Sequence, residues 1–162
     1  LKVGGRCGVV IKNTFLSNTD NASIALRKQL LEECDLFGIL DLPKGTFLGT
    51  GVQTVVLFFE KGKPSENIWY YELDVGRNLG KTNPLNENDL NDFLNSIDKK
   101  KISKKSWILN VNQLEDNTVD LSFNNPHKVK INDERKPKEI LSEIEELEKK
   151  SSNIIREIKN SI

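Results

Sequence analysis

LFGILDLPKGTFLGTGVQTVVLFFEKG, residues 36–62, decides how the rest of the chain is read. Two apolar runs, LFGILDL and VVLFF, are rich in β-branched and aromatic residues and are too short for helices. Between them lies a loop of Gly, Thr and Pro, residues 43–54, the densest group of small and hydroxyl residues in the sequence. About a dozen residues leave no room for a crossover helix, so the second run is expected to return antiparallel to the first.

Upstream, LKVGGRCGVVIKNTFL opens with a Gly4-Gly5 turn and continues as an apolar run, Cys7 to Ile11. Such a run reads as a strand buried on both faces. SNTDN then supplies a helix cap, Asp20 or Asn21. A helix is expected over residues 22–34, with Leu26, Leu30 and Cys34 on one face and Ile24 and Leu31 on the next stripe. Arg27, Lys28, Glu32 and Glu33 are expected to face solvent. Strand, helix, strand is the pattern of a βαβ unit in a parallel sheet. Ligands of such sheets collect beyond the carboxyl ends of the strands, which here means Lys12-Asn13-Thr14 and the loop 43–54.

Downstream, IWYYEL (68–73) reads as a strand at the sheet edge. Residues 86–97 read as a helix with Leu90, Phe93, Leu94 and Ile97 at spacings of three and four. A basic run follows at 99–105, then a short strand, SWILNV, at 106–111. Residues 116–123 carry a turn and a further apolar alternation. Pro137 suits the first turn of a long helix to residue 162. Ile140, Ile144, Leu147, Ser151, Ile154 and Ile158 step by four and three, an a/d seam. So narrow a stripe needs a partner: a second copy, another subunit, or the chain's own domain. The organisation expected is 1–82, 83–135 as a connecting mixed segment, and 136–162 as the heptad-patterned helix.

The remaining inventory mostly excludes. Lys+Arg and Asp+Glu number 24 each, so net charge gives no global argument for nucleic acid or membrane. Two cysteines without paired spacing and one histidine, His127, do not make a metal site. They read as free thiols in a reducing compartment. No run of apolar residues is long enough to span a membrane. A Ser/His/Asp triad would have to use His127, in a polar segment after a proline. The loop at 45–51 lacks the Gly-Lys-Ser/Thr of a phosphate loop and precedes a strand rather than a helix. Lys99 to Lys105 is either a solvated loop or a set of phosphate contacts. There is no methionine, and the chain starts at Leu1, so it is expected to be a piece of a longer protein.

Several stretches together carry a resemblance. They are GGRCGVVIKNTFL (4–16), LRKQLLEECDLFGILDLPKGTFLGTGVQTVVLFFEKG (26–62), IWYYELD (68–74), KTNPLNENDLNDF (81–93), Ser106-Trp107 and DLSFNNP (120–126). The chain resembles the modification subunit of type I restriction-modification systems, an adenine-N6 DNA methyltransferase. The resemblance implies a partial Rossmann-like methyltransferase sheet whose late strands form an antiparallel hairpin, followed by a small mixed segment and a long C-terminal helix. It implies a cytoplasmic enzyme that uses S-adenosylmethionine. It also implies that the cofactor loop and the Asn-Pro-Pro-Phe motif lie upstream, so the fragment itself is expected to be inactive and not to bind the cofactor. In such enzymes the adenine is flipped out of the duplex and an aromatic from the late hairpin loop stacks on it. By position that aromatic is Phe47, with Thr50 and Thr54 around it; packing at the junction of sheet and loop is its alternative role. Asn13 keeps one residue of the family's Pro-Asn-Gly corner, where this chain has Lys12-Asn13-Thr14. The partners implied are DNA, a specificity subunit and a restriction subunit. Ile140, Ile144, Leu147, Ile154 and Ile158 would dock on the specificity subunit or on a second copy. An assembly module without catalysis is the alternative function.

Overall fold

The computed structural model describes residues 1–47, 51–128 and 136–161, and the chain divides into two compact units, Leu1–Lys128 and Val129–Ile162. In the first, β1 (Arg6–Lys12) leads through a short 3-10 turn into α1 (Asn21–Glu33), followed by β2 (Cys34–Asp41), β3 (Thr54–Lys61) and β4 (Asn67–Glu72). α2 (Glu87–Ile97) and β5 (Ser106–Asn110) complete it. The five strands form one sheet in the order β1-β3-β2-β4-β5.

β3 lies antiparallel between β1 and β2, as the short loop dictates, so β1 and β2 run the same way without touching. β4 is parallel to β2, and β5 closes antiparallel on β4. Two expectations about strand position are therefore reversed. β1 is one of the two outer strands of the sheet, and Val10 is 51% exposed. IWYYEL, expected at the edge, is covered by β2 on one side and β5 on the other, with Ile68, Trp69, Tyr70 and Tyr71 all buried. Composition alone does not order strands, because pairing between β4 and β5 spans the whole of α2.

The alternation of β4 divides the core. Ile68 and Tyr70 point to the α1 face with Leu36, Leu57 and Leu121, whereas Trp69 and Tyr71 point to the α2 face around Phe93. α2 begins with a reciprocal cap in which the Asn86 side chain accepts from Asn88 N at 3.0 Å and Asp89 accepts from Asn86 N at 2.9 Å. Arg77 clamps the same carboxylate with two bonds of 2.5 and 2.6 Å, holding Asp89 down at about 2.

α1 starts where expected, with the Asp20 side chain accepting from Ser23 N at 2.8 Å. Its buried face is different from the expected one. Leu26 is exposed; Arg27 and Leu31 are buried, with Ile24 and Leu30 beside them. Arg27 is 1% exposed and donates to four main-chain carbonyls: Phe15, Asn18, Thr118 and Val119, at 2.7–2.8 Å. Residues 116–123 form no strand; the Arg27 guanidinium bonds to Thr118 O and Val119 O, and one from Leu121 N to Leu16 O, hold them on the core. Cys7 and Cys34 are both free.

In the second unit, α3 (Pro137–Ser161) is entered through Lys136 N bonding Glu139 Oε2 at 3.1 Å. Ile144, Leu147, Ile154 and Ile158 are each about half exposed, and Leu141 and Ile155 widen the same apolar stripe. No helix among the described residues is long and apolar enough to cross a membrane.

Candidate functional site

The strand register gathers chemistry at one sheet edge. The carboxyl ends of β1, β2 and β4 lie side by side with the start of β3, through the pairs Lys12↔Thr54, Asp41↔Val55 and Asp41↔Glu72. Asn13 N donates to Gln53 O at 3.1 Å just past the β1–β3 ladder, and Leu42 N donates to Thr54 O at 3.1 Å. Asn13 and Thr54, far apart in sequence, thus become neighbours.

Beneath the loop, Gln53 Nε2 donates to Asp41 Oδ1 at 3.0 Å. Asp41 is half-buried, and this burial pushes its carboxyl above the ordinary value; the bond from Gln53 opposes the shift, and nearby Glu72 reinforces it. Glu72 is itself engaged by Lys128 and by Asn125 Nδ2. The Asp41–Gln53 pair stands between two clefts. One, of about 290 Å³, is lined by Asn13, Asp41, Gln53, Tyr70, Trp107 and Phe123 among others. Tyr70 and Trp107 stack there at 5.3 Å. Trp107 Nε1 is buried without a hydrogen-bond partner among the described residues, an uncommon state for an indole N–H. The other cleft, of about 530 Å³, runs past Pro43 and Glu72 to Lys104, Lys105 and Asn125.

The loop leaves β2 through a turn in which Thr46 Oγ1 donates to Pro43 O at 2.7 Å. Gly45 takes a φ of +83°, and a Cβ there would stand 2.5 Å from Leu79 O, so only glycine fits this corner. Phe47 is 42% exposed and does not line either cleft at the Asp41–Gln53 pair. Thr50 lies outside the described residues. No group of three or more metal-ligating side chains occurs among the described residues. The main-chain N–H of His127 donates to the Asn125 side chain, at 2.9 Å from Oδ1.

Asp41, Gln53 and Trp107 escaped the sequence reading. Asp41 ends β2, and its partner Gln53 stands on the far side of the loop in sequence. The ionised Asp41 is a cost to folding, because its folded pKa is raised. That penalty grows as pH rises through the carboxylate range and is complete above it. Asp41→Asn, whose oxygen can still accept from Gln53, is therefore expected to raise the thermal midpoint near neutral pH. The gain should vanish as pH falls toward about 4, where the free carboxyl takes its proton. Melting curves across pH test this; a variant less stable than the parent chain at neutral pH contradicts it.

Comparison with known proteins fits these observations. The chain is 29% identical over 139 residues to the methylase subunit of the type I restriction enzyme EcoEI of Escherichia coli, a match covering 76% of this chain and 27% of that protein. It is 34% identical over 103 residues to the StySJI methylase subunit of Salmonella typhimurium, covering 57% and 19%. It spans about a quarter or less of the length of these relatives. Among solved structures, one from work on complex assembly and conformational transition of the type I system superimposes with a TM-score of 0.71 at 28% identity, covering 98% of this chain and 36% of that one. A modification subunit of a type I restriction enzyme from Vibrio vulnificus YJ016 gives 0.70 at 27%, covering 78% and 28%. The N-6 DNA Methylase family matches residues 1–135, and the chain belongs to that family.

Proposed function

We propose that this chain is the DNA-facing portion of a type I modification subunit that transfers a methyl group from S-adenosylmethionine to adenine N6. The observation that carries the reading is the convergence of Asn13, Asp41, Gln53 and Thr54 at one sheet edge, at the foot of the glycine-rich loop. An antiparallel β3 wedged between two strands of common direction supports a partial Rossmann-like methyltransferase sheet. The described part of the loop then forms one wall of the approach for a flipped base, with Thr54 at its foot, and Phe47, exposed on the loop outside the two clefts, is assigned to stack on the base.

The residues present do not fit the cofactor. β1 runs into the 3-10 turn Asn13–Leu16 instead of a glycine-rich turn opening a helix, and the Asp20 side chain occupies an amide at the start of α1. Cofactor and catalytic motif are therefore assigned to other sequence of the parent subunit. The chain's own contribution is to position the base and exclude water from one side.

Reconstituted parent subunit, with its specificity subunit, is expected to methylate adenine in duplex DNA. Phe47→Ala is expected to lower that rate about 10- to 100-fold, the equivalent of about 1–3 kcal/mol of lost stacking. Methylation of cytosine, or an unaltered rate in the variant, refutes the respective part of the proposal.

A second role rests on a separate observation, the half-exposed apolar stripe of α3. We assign it to docking on the specificity subunit, which places the methyltransferase beside the subunit that reads DNA and the restriction subunit that cuts it.

A further inference from the structure

The arm of the glycine-rich loop that leads to Phe47 begins as a turn. Thr46 N donates to Pro43 O at 3.4 Å, and Gly45 stands third in the turn with the positive φ that a type II turn requires there. Phe47 follows at once, so the setting of this turn fixes the course on which the chain enters that residue. The feet of the loop are tied separately, by Leu42 N to Thr54 O and by Gln53 to Asp41. The turn itself has a different neighbour, the Leu79 carbonyl that excludes a Cβ at Gly45.

Leu79 belongs to the stretch between β4 and α2, which contains no helix or strand. One side chain ties that stretch to α2. Arg77 donates to both oxygens of Asp89, to Asn83 Oδ1 from Nε at 3.0 Å and to Pro84 O from Nη2 at 3.2 Å. Asn83 then holds the residues on either side of Leu79. Its Nδ2 donates to Asn78 O at 3.3 Å, and its main chain exchanges two bonds of 3.1 Å with Gly80.

The line of support therefore runs from α2 through Arg77, Asn83 and Leu79 to Gly45. Its far end is firm, because Phe93 and Leu90 pack α2 into the core with Leu42, the residue before the turn. Asn86 and Asp89 already cap α2 reciprocally. What the bidentate Arg77 fork adds thus falls on the stretch that carries Leu79.

We propose that residues 77–83 buttress the glycine-rich loop and that Arg77 is a positioning residue: through Asn83 it holds the Leu79 carbonyl against Gly45 and so fixes the arm that carries Phe47. The buttress deepens the reading under Proposed function and rests on it only for what Phe47 meets. Stacking on a base demands a placed ring, since a misplacement of about 1 Å can cost about 100-fold in rate.

The parent subunit with its specificity subunit is the object of the test. A lysine-specific protease cuts after Lys44, an exposed residue inside the turn, and mass spectrometry follows that cut alone. Arg77→Gln and Asn83→Ala are each expected to speed it about tenfold, the weight of a charge-assisted bond lost from the closed form. Asn83→Ala leaves the Arg77–Asp89 pair in place and so separates loss of the buttress from damage to α2. In methylation both variants are expected to lose about tenfold in kcat with KM for duplex DNA within about twofold. That loss should vanish in a Phe47→Ala background, because the buttress acts through that residue. Unaltered cleavage after Lys44 in both variants overturns the buttress. Faster cleavage with unaltered kcat, or a kcat loss that persists in full without Phe47, overturns the positioning role. Cleavage assumes nothing about methyl transfer. A parent that methylates no adenine refutes the reading of the site, and with it the role of Phe47, while the Lys44 rates still decide the buttress.

Discussion

Arg27→Ala is expected to destabilise the Leu1–Lys128 unit by about 3–5 kcal/mol, a loss comparable to breaking a buried ion pair. The reason is local and complete. The guanidinium is buried, lies 5.8 Å from the centre of the Phe15 ring and has no carboxylate in contact among the described residues, where its hydrogen-bond partners are four neutral carbonyls. Burial pulls its pKa below the ordinary value, and the fields of Asp120 and Asp20 pull it back. Truncation leaves carbonyls of Phe15, Asn18, Thr118 and Val119 without this donor in a space that alanine does not fill, so desolvation and cavity costs add. Arg27→Lys keeps charge but not the five-donor fork, and should fall between the two. Urea unfolding of the three proteins decides the matter; a loss under about 1 kcal/mol for the alanine variant would show that the four bonds are replaced by water.

Ile144→Asp with Leu147→Asp is expected to abolish docking of α3 on the specificity subunit while leaving unfolding of Leu1–Lys128 unchanged. Both side chains sit about half exposed on the apolar stripe, one turn apart. Burying two carboxylates in a helix seam would cost at least about 4 kcal/mol, or roughly a thousandfold in affinity. Lys149→Asp, on the opposite face by heptad position, controls for the change of charge. Co-purification with the specificity subunit is the readout; a double variant that still co-purifies removes the docking role. Leu141 and Ile155 extend the stripe beyond a strict a/d line, which favours contact with more than one partner helix over a two-stranded coil.

Element type was legible wherever local physics settles it. Short apolar runs marked β1 through β5, the antiparallel return of β3 followed from loop length, and of the two residues offered as the cap of α1, Asp20 is the one that caps it. What failed was long-range. Nothing local in IWYYEL says that a strand beyond α2 will cover it, and nothing in a run of Arg-Lys-Gln says that the arginine will turn inward to carbonyls some 90 residues away. The candidate site divides in the same way. Asn13 and Thr54 could be picked out from strand ends and from the resemblance, whereas the Asp41–Gln53 pair exists only once the loop has closed. Trp107, expected only as part of a short strand, has an indole N–H whose lack of a partner among the described residues is invisible before packing.

The burial of β4 between β2 and β5 carries a consequence for how the molecule comes into being. Asn67 must find Asn110, and Trp69 must find the carbonyl of Lys101, contacts with high sequence separation and so with a late entropic reward. On a ribosome, Ile68 to Tyr71 emerges well before Ser106 to Asn110, which leaves an aromatic strand with an open edge during synthesis. The chain's most deeply buried strand is thus also its most vulnerable one in transit, and the charged, polar sequence of α2 that emerges between the two strands keeps that interval soluble.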